Sequence, residues 1–409
     1  NVSDISLRAF SALFGSLAII TIFYLGRLLF DDKTAILAAF LSSINLTLIE
    51  YSQEARQYSF LLFLSLASIA LFLKYLKSKK WPYLVMLLLC NTLIIYSHYT
   101  WFLFIAAEGI YALYFIYTEY SKSRQLDKGI LAVFILFGLM YLPLIGRVLS
   151  TNTNTVQFFG RPNAINIAEF GVQLSTWIYP TEPMRQKLHN SLFDLSLHEW
   201  LLLSSVILIV IIFAIVFVIG AVKMLRKRKY SLLVLFFFPL VSALLLSFTH
   251  PIISIFKLKY LIYLSPFYVL VVAFGLTKAK YGKHTLILIV ILSILPLQAY
   301  YANVHKQQFR EVALFLKDNI KNGDIILFNI GTGITPFTYY YGESDHTYPV
   351  PTLARAKELT KNKNSLWLVY TFTKYSDPDG KIKQYFDNNY NLVEQKEFFD
   401  VSLLHYTKK

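Results

Sequence analysis

The sequence is poor in cysteine and in charged residues, and both shortages narrow what the chain can be. Cys90 is its only cysteine, so no disulfide can form within the chain, and we expect the thiol to be a small packing group in an apolar run. Charged residues make up 15% of the 409 residues, against about 25% in soluble proteins, while 56% are hydrophobic and the mean hydropathy is +0.50. This composition excludes an ordinary soluble protein and predicts a protein that uses lipid as its solvent.

Acidic residues are scarcer than basic ones, since 24 Asp and Glu stand against 39 Lys and Arg, which gives a net charge of +15. Such an excess can indicate nucleic-acid binding. Most of these cations, however, stand in short clusters between apolar runs, where they set the orientation of a membrane protein. We therefore expect the lipid bilayer, and not nucleic acid, as the partner of this charge.

Apolar runs of about 20 residues are long enough to cross a bilayer as helices. The sequence contains ten runs that approach this length: Leu7–Phe30, Thr34–Ile49, Ser59–Tyr75, Trp81–Tyr96, Tyr99–Tyr117, Gly129–Leu149, Trp200–Val222, Tyr230–Phe248, Tyr260–Thr277 and Thr285–Tyr301. We expect a polytopic α-helical membrane protein with residues 1–301 as its transmembrane domain. Several runs are short, so a merged or re-entrant pair is the alternative.

Basic residues collect in every second connection between these runs: Arg27 and Lys33; Lys77, Lys79 and Lys80; Lys122, Arg124 and Lys128; Lys223, Arg226, Lys227, Arg228 and Lys229; Lys278, Lys280 and Lys283. By the positive-inside rule these connections face the cytoplasm, and the others face outward, together with everything after Tyr301. Because Asn1 then begins outside, directly before a span, we expect at least one further span and its outer loop ahead of it. Nothing at Asn1 resembles a signal peptide.

The nine residues Glu50–Tyr58 form a dense polar stretch between two apolar runs. Placing an ionisable residue at the bilayer centre costs about 2.5–3.5 kcal/mol, and less near its edge. Because of this cost, such a residue usually indicates a functional site. The alternative is a polar hairpin that turns the chain at the lipid headgroups. If the stretch is helical, Glu50 and Glu54 share a face, so the sequence predicts either a polar pocket or a broken helix.

Outward-facing charge at the end of a helical bundle suits one chemistry in particular. No nucleotide pool exists outside the cytoplasm, so a membrane enzyme working there takes an activated group from a lipid carrier, commonly a lipid-linked phosphosugar. The leaving phosphate requires cations that are already in place. Arg56 is the first candidate because its planar fork donates two parallel hydrogen bonds to phosphate. Lys257 and Lys259 are the next, with snorkelling to anionic headgroups as their alternative role.

The remaining candidates on the predicted outer side are expected to line a substrate pocket: Gln53, Glu54, Tyr58, His98 and Tyr99. Glu54 would position an acceptor hydroxyl or orient Arg56, and the role of general base is less favoured. His98 would bind phosphate or sugar hydroxyls, or be a satisfied structural residue. Glu108 lies in mid-span, where it should face the bundle interior or pair with a polar neighbour. The sequence assigns no metal ligand and no cofactor.

The long outer loop, residues 150–199, carries apolar residues at helical spacing over residues 168–179 and ends that segment in Trp177 and Tyr179. This pattern predicts an interfacial helix, either a lid over an outward cavity or a helix that lies on lipid.

After Tyr301 the composition becomes that of a soluble domain. Helices are predicted at residues 308–320, 351–361 and 381–389, and strands at residues 324–328, 365–371, 392–399 and 401–406. The alternation predicts a small α/β domain over residues 302–409, extracytoplasmic by the same sidedness. Gly331-Thr332-Gly333 matches neither a dinucleotide fingerprint nor a Walker loop, so no nucleotide is expected there.

Several motifs together resemble the prokaryotic GT-C glycosyltransferases related to dolichyl-phosphate-mannose protein mannosyltransferases and the lipid A aminoarabinose transferase. The most specific is Ser52-Gln53-Glu54-Ala55-Arg56. The others are Ser3-Asp-Ile-Ser-Leu-Arg8 with Ser11, Tyr24-Leu-Gly-Arg27 with Leu29 and Phe30, Ala38-Ala39, Tyr51, Tyr58, Ser97-His98-Tyr99, Lys259-Tyr260 with Pro266, and in the tail Gln307, Arg310, Val312, Ala313, Gly323 and Asp324.

The resemblance implies an inverting transfer of a sugar from a polyprenyl-phosphate donor to a glycan, lipid or protein acceptor, on the extracytoplasmic face of the plasma membrane. It implies that Arg56 lies near the carrier phosphate and that Lys259 replaces an arginine, keeping the charge but losing the bidentate fork. It also implies a catalytic Asp in an outer loop that would lie upstream of Asn1. Asp4 is not in that position, so the catalytic residue is unknown from this sequence, and we expect the chain without that loop to be inactive.

A non-enzymatic transporter or flippase of lipid-linked sugars is the competing class. Such a protein needs a polar path through the bilayer. Here the charges collect on one face, and mid-span positions carry little besides Asn45, Asn91 and Glu108, which favours the enzyme. A sensor whose tail binds a ligand would not need so many spans.

Overall fold

The computed structural model describes residues 4–150, 161–176, 184, 194–227, 230–249, 255–303 and 306–409. Contacts divide the chain into two compact units, one of Ser3–Tyr179 with Asp194–Tyr300 and the other comprising chiefly Tyr301–Lys409. We call the helical part up to Tyr300 the membrane unit and the part from Tyr301 onward the C-terminal unit.

Helices account for the described part of the membrane unit: α1 Asp4–Leu29, α2 Asp32–Ser43, α3 Leu46–Gln53, α4 Tyr58–Ser78, α5 Trp81–Ser97, α6 Phe102–Ser123, α7 Lys128–Ser150, α8 Ala164–Ser175, α9 Leu197–Arg226, α10 Ser231–Thr249, α11 Leu258–Leu261, α12 Leu264–Lys278 and α13 Gly282–Ala302. Local sequence signals set several of the starts. The side chain of Asp31 caps α2, that of Asn45 caps α3, and Ser196 with Glu199 forms a capping box at α9.

Six helical segments in the described ranges are long and apolar enough to cross a membrane: Asp4–Leu29, Tyr58–Ser78, Tyr99–Lys122, Leu197–Arg226, Ser231–Thr249 and Gly282–Ala302. α2 and α3 would supply a seventh if they form one span, which is bent by 61°. α5, α12 and the segment Lys128–Leu144 of α7 are apolar but shorter. The ten predicted runs thus coincide with helices, but the predicted number of crossings is not confirmed, because three of these helical segments are short and a fourth run is bent where Asn45 caps α3.

The centre of the membrane unit is α12, in which every residue from Leu264 to Leu276 is buried. A helix that is apolar on all sides is expected in such a position. It packs against α2, α9 and α10. Gly220 of α9 and Gly275 of α12 make this packing close, because a side chain at either position would meet a backbone carbonyl of the other helix.

The C-terminal unit is an α/β layer, as predicted. Its sheet has the order β2-β1-β3-β5-β4, with β1 Ile325–Phe328, β2 Thr347–Pro349, β3 Ser365–Thr371, β4 Tyr390–Phe398 and β5 Val401–Lys408. β1 runs parallel to β2 and β3, whereas β5 is antiparallel to β3 and β4. Its helices are α14 Phe309–Asn319, α15 Ile334–Tyr341, α16 Leu353–Thr360, α17 Thr373–Ser376 and α18 Lys381–Asn389.

Sequence reasoning missed three elements of this unit, namely β2, α15 and α17. Residues 331–333 form a 3-10 turn that leads into α15, and Gly342, at a φ of 97°, ends that helix. α15 was missed because aromatic and β-branched residues fill it, and these are poor helix formers that give no clear helical period.

Candidate functional site

The polar stretch Glu50–Tyr58 forms a break between α3 and α4. α3 ends just before Glu54, whose backbone is extended with a ψ of 126°, and α4 begins at Tyr58. Between the helices, the backbone N–H of Arg56 donates to the carbonyl of Glu54 at 2.7 Å. Of the two alternatives that the sequence left open, the structure has the broken helix, so Glu50 and Glu54 do not share a helix face.

Small residues of α1 hold this break in place. The hydroxyl of Ser11 donates to the backbone carbonyl of Arg56 at 3.1 Å. Gly15 lies so close to Ser52 of α3 that any side chain at position 15 would meet the Ser52 side chain. The backbone that carries Arg56 is therefore fixed by α1.

Arg56 makes two side-chain contacts across the break. Its Nη1 lies 3.3 Å from Oε1 of Glu54, and its guanidinium carbon lies 4.7 Å from the ring centroid of Tyr58, a cation–π distance. The Arg56 side chain is still 46% exposed. Because a guanidinium has five N–H donors, this arrangement leaves donors accessible to an incoming anion.

His98 connects Arg56 and Tyr58 to a second cation. Its ring centroid is 6.1 Å from that of Tyr58 and 5.5 Å from that of Tyr260, and Nζ of Lys259 lies 5.0 Å from the Tyr260 ring. The two predicted phosphate-binding residues, Arg56 and Lys259, therefore both lie close enough to one histidine for their charges to act on it. We call Arg56, Tyr58, His98, Lys259 and Tyr260 the cation cluster.

Burial and like charge shape the electrostatics of the cation cluster. Burial first, and then the charges of Arg56 and Lys259, lower the pKa of His98 to about 4, so the imidazole is neutral at pH 7. The hydroxyl of Thr100 lies 2.8 Å from its Nδ1. Burial and the charge of Arg56 also lower the pKa of Lys259. Two partly buried cations thus lie near each other, an arrangement typical of a functional site.

The other predicted pocket residues lie in different places. Tyr99 adjoins the cation cluster, since its ring centroid is 5.7 Å from that of His98. Gln53 instead belongs to a group around Tyr300 of α13, whose hydroxyl donates to Oε2 of Glu50 at 2.7 Å and lies 3.1 Å from Oε1 of Gln53. Sequence reasoning gave no role to Tyr300, and a tyrosine at the end of an apolar run offered no signal for one.

A cleft of about 190 Å³ adjoins the cation cluster. Its lining comprises Tyr51, Asn166, Glu169, Phe170, Gln173, Phe256, Lys257, Leu258 and Lys259. The ring of Tyr51 also makes an edge contact with that of Tyr58, with centroids 5.3 Å apart. Tyr51 therefore lines the cleft and contacts Tyr58 of the cation cluster, whereas Lys259 belongs to both the cleft and the cluster. Lys257, the third predicted phosphate-binding residue, lines the cleft.

One wall of the cleft is α8, which corresponds to the predicted interfacial helix but starts earlier, at Ala164; Trp177 and Tyr179 lie outside the described residues. Its apolar side is buried, and the ring of Phe170 stacks on that of Phe256 at 4.7 Å. Its end is held by α3, because the Asn45 amide donates to the carbonyls of Leu174 and Ser175 at 3.2 and 3.1 Å. α8 is therefore packed on the protein.

Glu108 lies inside the bundle, as predicted. The carboxylate is fully buried. It accepts hydrogen bonds from the hydroxyl of Ser68 and from the amide of Asn91, the latter at 2.5 Å. The donors come from α4 and α5, so this group joins three helices and takes no part in the cation cluster.

No set of three or more His, Cys, Asp or Glu residues in the described ranges lies close enough to hold a metal ion.

A sequence model of the dolichyl-phosphate-mannose-protein mannosyltransferase family matches residues 1–145. No curated protein sequence matches the chain.

Solved structures resemble the chain over almost all of its length. ArnT from Cupriavidus metallidurans bound to undecaprenyl phosphate is similar over 98% of this chain and 83% of its own, with 11% identity and a TM-score of 0.53. The Archaeoglobus fulgidus oligosaccharyltransferase tethered with an acceptor peptide is similar over 99% of this chain and 63% of its own, with 14% identity and a TM-score of 0.49. The archaeal oligosaccharyltransferase AglB from the same organism, in complex with an inhibitory peptide and a dolichol-phosphate, is similar over 99% of this chain and 63% of its own, with 13% identity and a TM-score of 0.44. The chain thus spans less than two thirds of the oligosaccharyltransferases, and the fold it shares is that of ArnT.

Proposed function

We propose, on the premise of the family match over residues 1–145 and the fold shared with ArnT, that the complete protein transfers a sugar from a polyprenyl-phosphate donor to an acceptor, with inversion at the anomeric carbon. The donor is a lipid-linked sugar, and the acceptor is a glycan, lipid or protein on the extracytoplasmic face of the plasma membrane. The observation that carries the proposal is the cation cluster, in which the charges of Arg56 and Lys259 both act on His98.

The reaction forms one bond and breaks one. An acceptor oxygen attacks the anomeric carbon from the side opposite the phosphate, and its proton passes to a base. The bond between the anomeric carbon and the phosphate oxygen breaks, and the phosphate keeps the electron pair as polyprenyl phosphate. Negative charge grows on that oxygen in the transition state, where Arg56 and Lys259 would stabilise it without rearranging.

The neighbours of the two cations suit this role. The Tyr58 and Tyr260 rings lie at cation–π distance from Arg56 and Lys259, so they add to the stabilisation of the two cations. His98 is neutral and offers a ring nitrogen rather than a third positive charge. Glu54 holds one edge of the Arg56 guanidinium and so orients its other donors. A solved structure of the same fold, that of ArnT, is bound to undecaprenyl phosphate, which supports a lipid phosphate as the ligand class.

The competing proposal, a flippase for lipid-linked sugars, has weaker support. Its polar path would have to pass through the bundle. The buried Glu108 in the bundle already accepts hydrogen bonds from Ser68 and Asn91. These bonds give it a structural role, so it does not support a polar path for a lipid-linked sugar.

Sugar transfer by the complete protein tests the proposal. With the protein in nanodiscs and a radiolabelled polyprenyl-phosphate sugar, we expect transfer by the wild type and a loss of at least about 100-fold in Arg56→Ala, since removing one donor to a developing oxyanion costs about 10²–10³ in rate. Release of polyprenyl phosphate is measured in parallel, because the reaction yields one carrier for each sugar moved.

Arg27→Ala is the matched control. Arg27 also pairs with a carboxylate, Asp32 at 2.6 Å, and lies over the ring of Phe23. Its loss removes the same contacts away from the cation cluster and should leave transfer within about twofold, since exposed ion pairs contribute about 0–1 kcal/mol. Normal transfer by Arg56→Ala, or an equal loss in Arg27→Ala, would overturn the proposal.

A further inference from the structure

The cleft beside the cation cluster has a chemical character of its own. Its α8 wall presents Asn166, Glu169 and Gln173, which stand at helical spacing on one face of that helix. A carboxylate accepts hydrogen bonds from hydroxyls, and a carboxamide both accepts hydrogen bonds from them and donates to them. The α8 wall therefore suits a polyhydroxylated group, and the lining also includes two cations, Lys257 and Lys259.

We propose that this cleft binds the sugar ring of the donor, while the cation cluster binds its phosphate; this inference rests on the proposed function. The residues that select the sugar are Glu169 and Gln173 of α8. Lys259 lines the cleft and belongs to the cation cluster, so it stands where the sugar and the phosphate of one donor molecule meet.

The size of the cleft fits one sugar ring. Pockets for drug-sized ligands measure about 300–1,000 Å³, whereas this cleft measures about 190 Å³. The rings of Tyr51 and Phe170 provide flat apolar walls, against which the carbon face of a pyranose can pack. A second polyprenyl chain would not fit in this volume.

The charge of the α8 wall indicates which end of the donor it meets. The carboxylate of Glu169 would repel a phosphate. Nε2 of Gln173 donates to Oε1 of Glu169 at 3.5 Å, a long hydrogen bond that a sugar hydroxyl can replace. The α8 wall therefore suits a neutral sugar or an amino sugar, and an acidic sugar would be disfavoured there.

The position of α8 is fixed independently of these side chains. The hydroxyl of Thr47 donates to the backbone carbonyl of Gln173 at 2.8 Å, and Phe170 and Leu174 are buried. Substitution of the Glu169 or Gln173 side chain leaves all of these contacts in place. Asn166 is less suitable for substitution because its side chain also accepts from the backbone of Asn163.

The test compares two probes on the complete protein in nanodiscs. One is undecaprenyl phosphate, and the other is undecaprenyl phosphate carrying one hexose, with glucose, galactose and mannose titrated separately. We expect the wild type to bind at least one sugar-bearing probe more tightly than the bare one. In Glu169→Ala and Gln173→Ala, the affinity for that probe should fall at least tenfold, while the affinity for the bare probe stays within twofold.

Ile165→Ala is the control, since Ile165 is 75% exposed and does not line the cleft; it should leave both affinities within twofold. Unchanged affinity for both probes in the Glu169 and Gln173 variants, with reduced transfer, would assign the cleft to the acceptor and overturn the inference. Equal weakening of both probes, or a wild type that does not distinguish them, would overturn it too. Failure of the proposed function is separate, because it appears as unchanged binding of both probes in Arg56→Ala.

Discussion

Two arginines of the membrane unit each contact one carboxylate and one aromatic ring, but their surroundings differ. Arg27 pairs with Asp32 at 2.6 Å over the ring of Phe23, and Arg56 pairs with Glu54 at 3.3 Å over the ring of Tyr58. Their side chains are 54% and 46% exposed. Ser11, which contacts Arg56, and Arg27 stand about 24 Å apart along α1 at about 1.5 Å per residue.

The neighbouring charges separate the two arginines. Beside Arg27, the second carboxylate Asp31 lies 3.8 Å from Nζ of Lys278, so each of the two carboxylates there has a cation partner. Beside Arg56, Glu54 faces a second cation, Lys259, whose pKa is lowered by burial and by Arg56 itself. An ion pair at a membrane edge is therefore not evidence of a site. A partly buried lysine whose pKa is lowered by burial and by a neighbouring arginine is such evidence.

The largest expected effect on phosphate affinity comes from exchanging the charges of Glu54 and Arg56. The double variant Glu54→Arg with Arg56→Glu keeps an ion pair but moves the guanidinium away from the Tyr58 ring and His98. We expect its affinity for undecaprenyl phosphate to fall about 10- to 100-fold, because a hydrogen bond to a charged group contributes about 1.5–3 kcal/mol. Titration in nanodiscs measures this change.

The matching exchange at the other arginine is Arg27→Asp with Asp32→Arg. It should leave phosphate affinity within about twofold, since only an exposed pair is rearranged. If the two exchanges had equal effects, the difference between the arginines would have no functional meaning.

The sequence predicted the helices of the membrane unit well because long apolar runs have few alternative structures in lipid. It predicted that Arg56 and Lys259 bind the same phosphate, because the positive-inside rule places both in outward connections. What it left open was the path of the chain at Glu54, since the residues allow either a helix or a break. Ser11 and Gly15 of α1 decide this through contacts that are distant in sequence.

Residues of the cleft were harder to predict. Glu169 and Gln173 stand four residues apart in a segment that the sequence described only by its apolar side. Their spacing placed them on one face, but only the packing of Phe170 on Phe256 turns that face toward Lys257 and Lys259. Gln53 shows the opposite case, because its position next to Glu54 predicted a shared pocket, and the end of α3 directs it to Tyr300 instead.

A smaller effect is expected at the second cation. Lys259→Ala should weaken undecaprenyl phosphate binding about tenfold, by loss of about one charge-assisted contact, while Lys259→Arg should retain it. Because burial and the charge of Arg56 lower the pKa of Lys259, the ammonium is charged below that pKa and neutral above it. Phosphate affinity of the wild type should therefore decline as pH rises, starting below the range of an ordinary lysine. Lys259→Arg should remain flat over the same range.

Lys278→Arg is the control for this pH profile, because Lys278 belongs to the charge-balanced group around Arg27. It should leave the decline unchanged. A decline that persists in Lys259→Arg would assign the titration to another residue and remove Lys259 from phosphate binding.

The smallest effect should come from neutralising the carboxylate of each pair. Glu54→Gln removes an anion that competes with phosphate for Arg56 but keeps the side-chain shape, so affinity for undecaprenyl phosphate should rise about twofold, in line with the 0–1 kcal/mol of an exposed pair. Asp32→Asn should change that affinity by less than the error of the titration. If Glu54→Gln instead reduced transfer as severely as Arg56→Ala, the carboxylate would act in catalysis and not as a partner of the arginine. Retained binding with reduced transfer would assign Glu54 to the acceptor hydroxyl, since the phosphate contacts would then be intact.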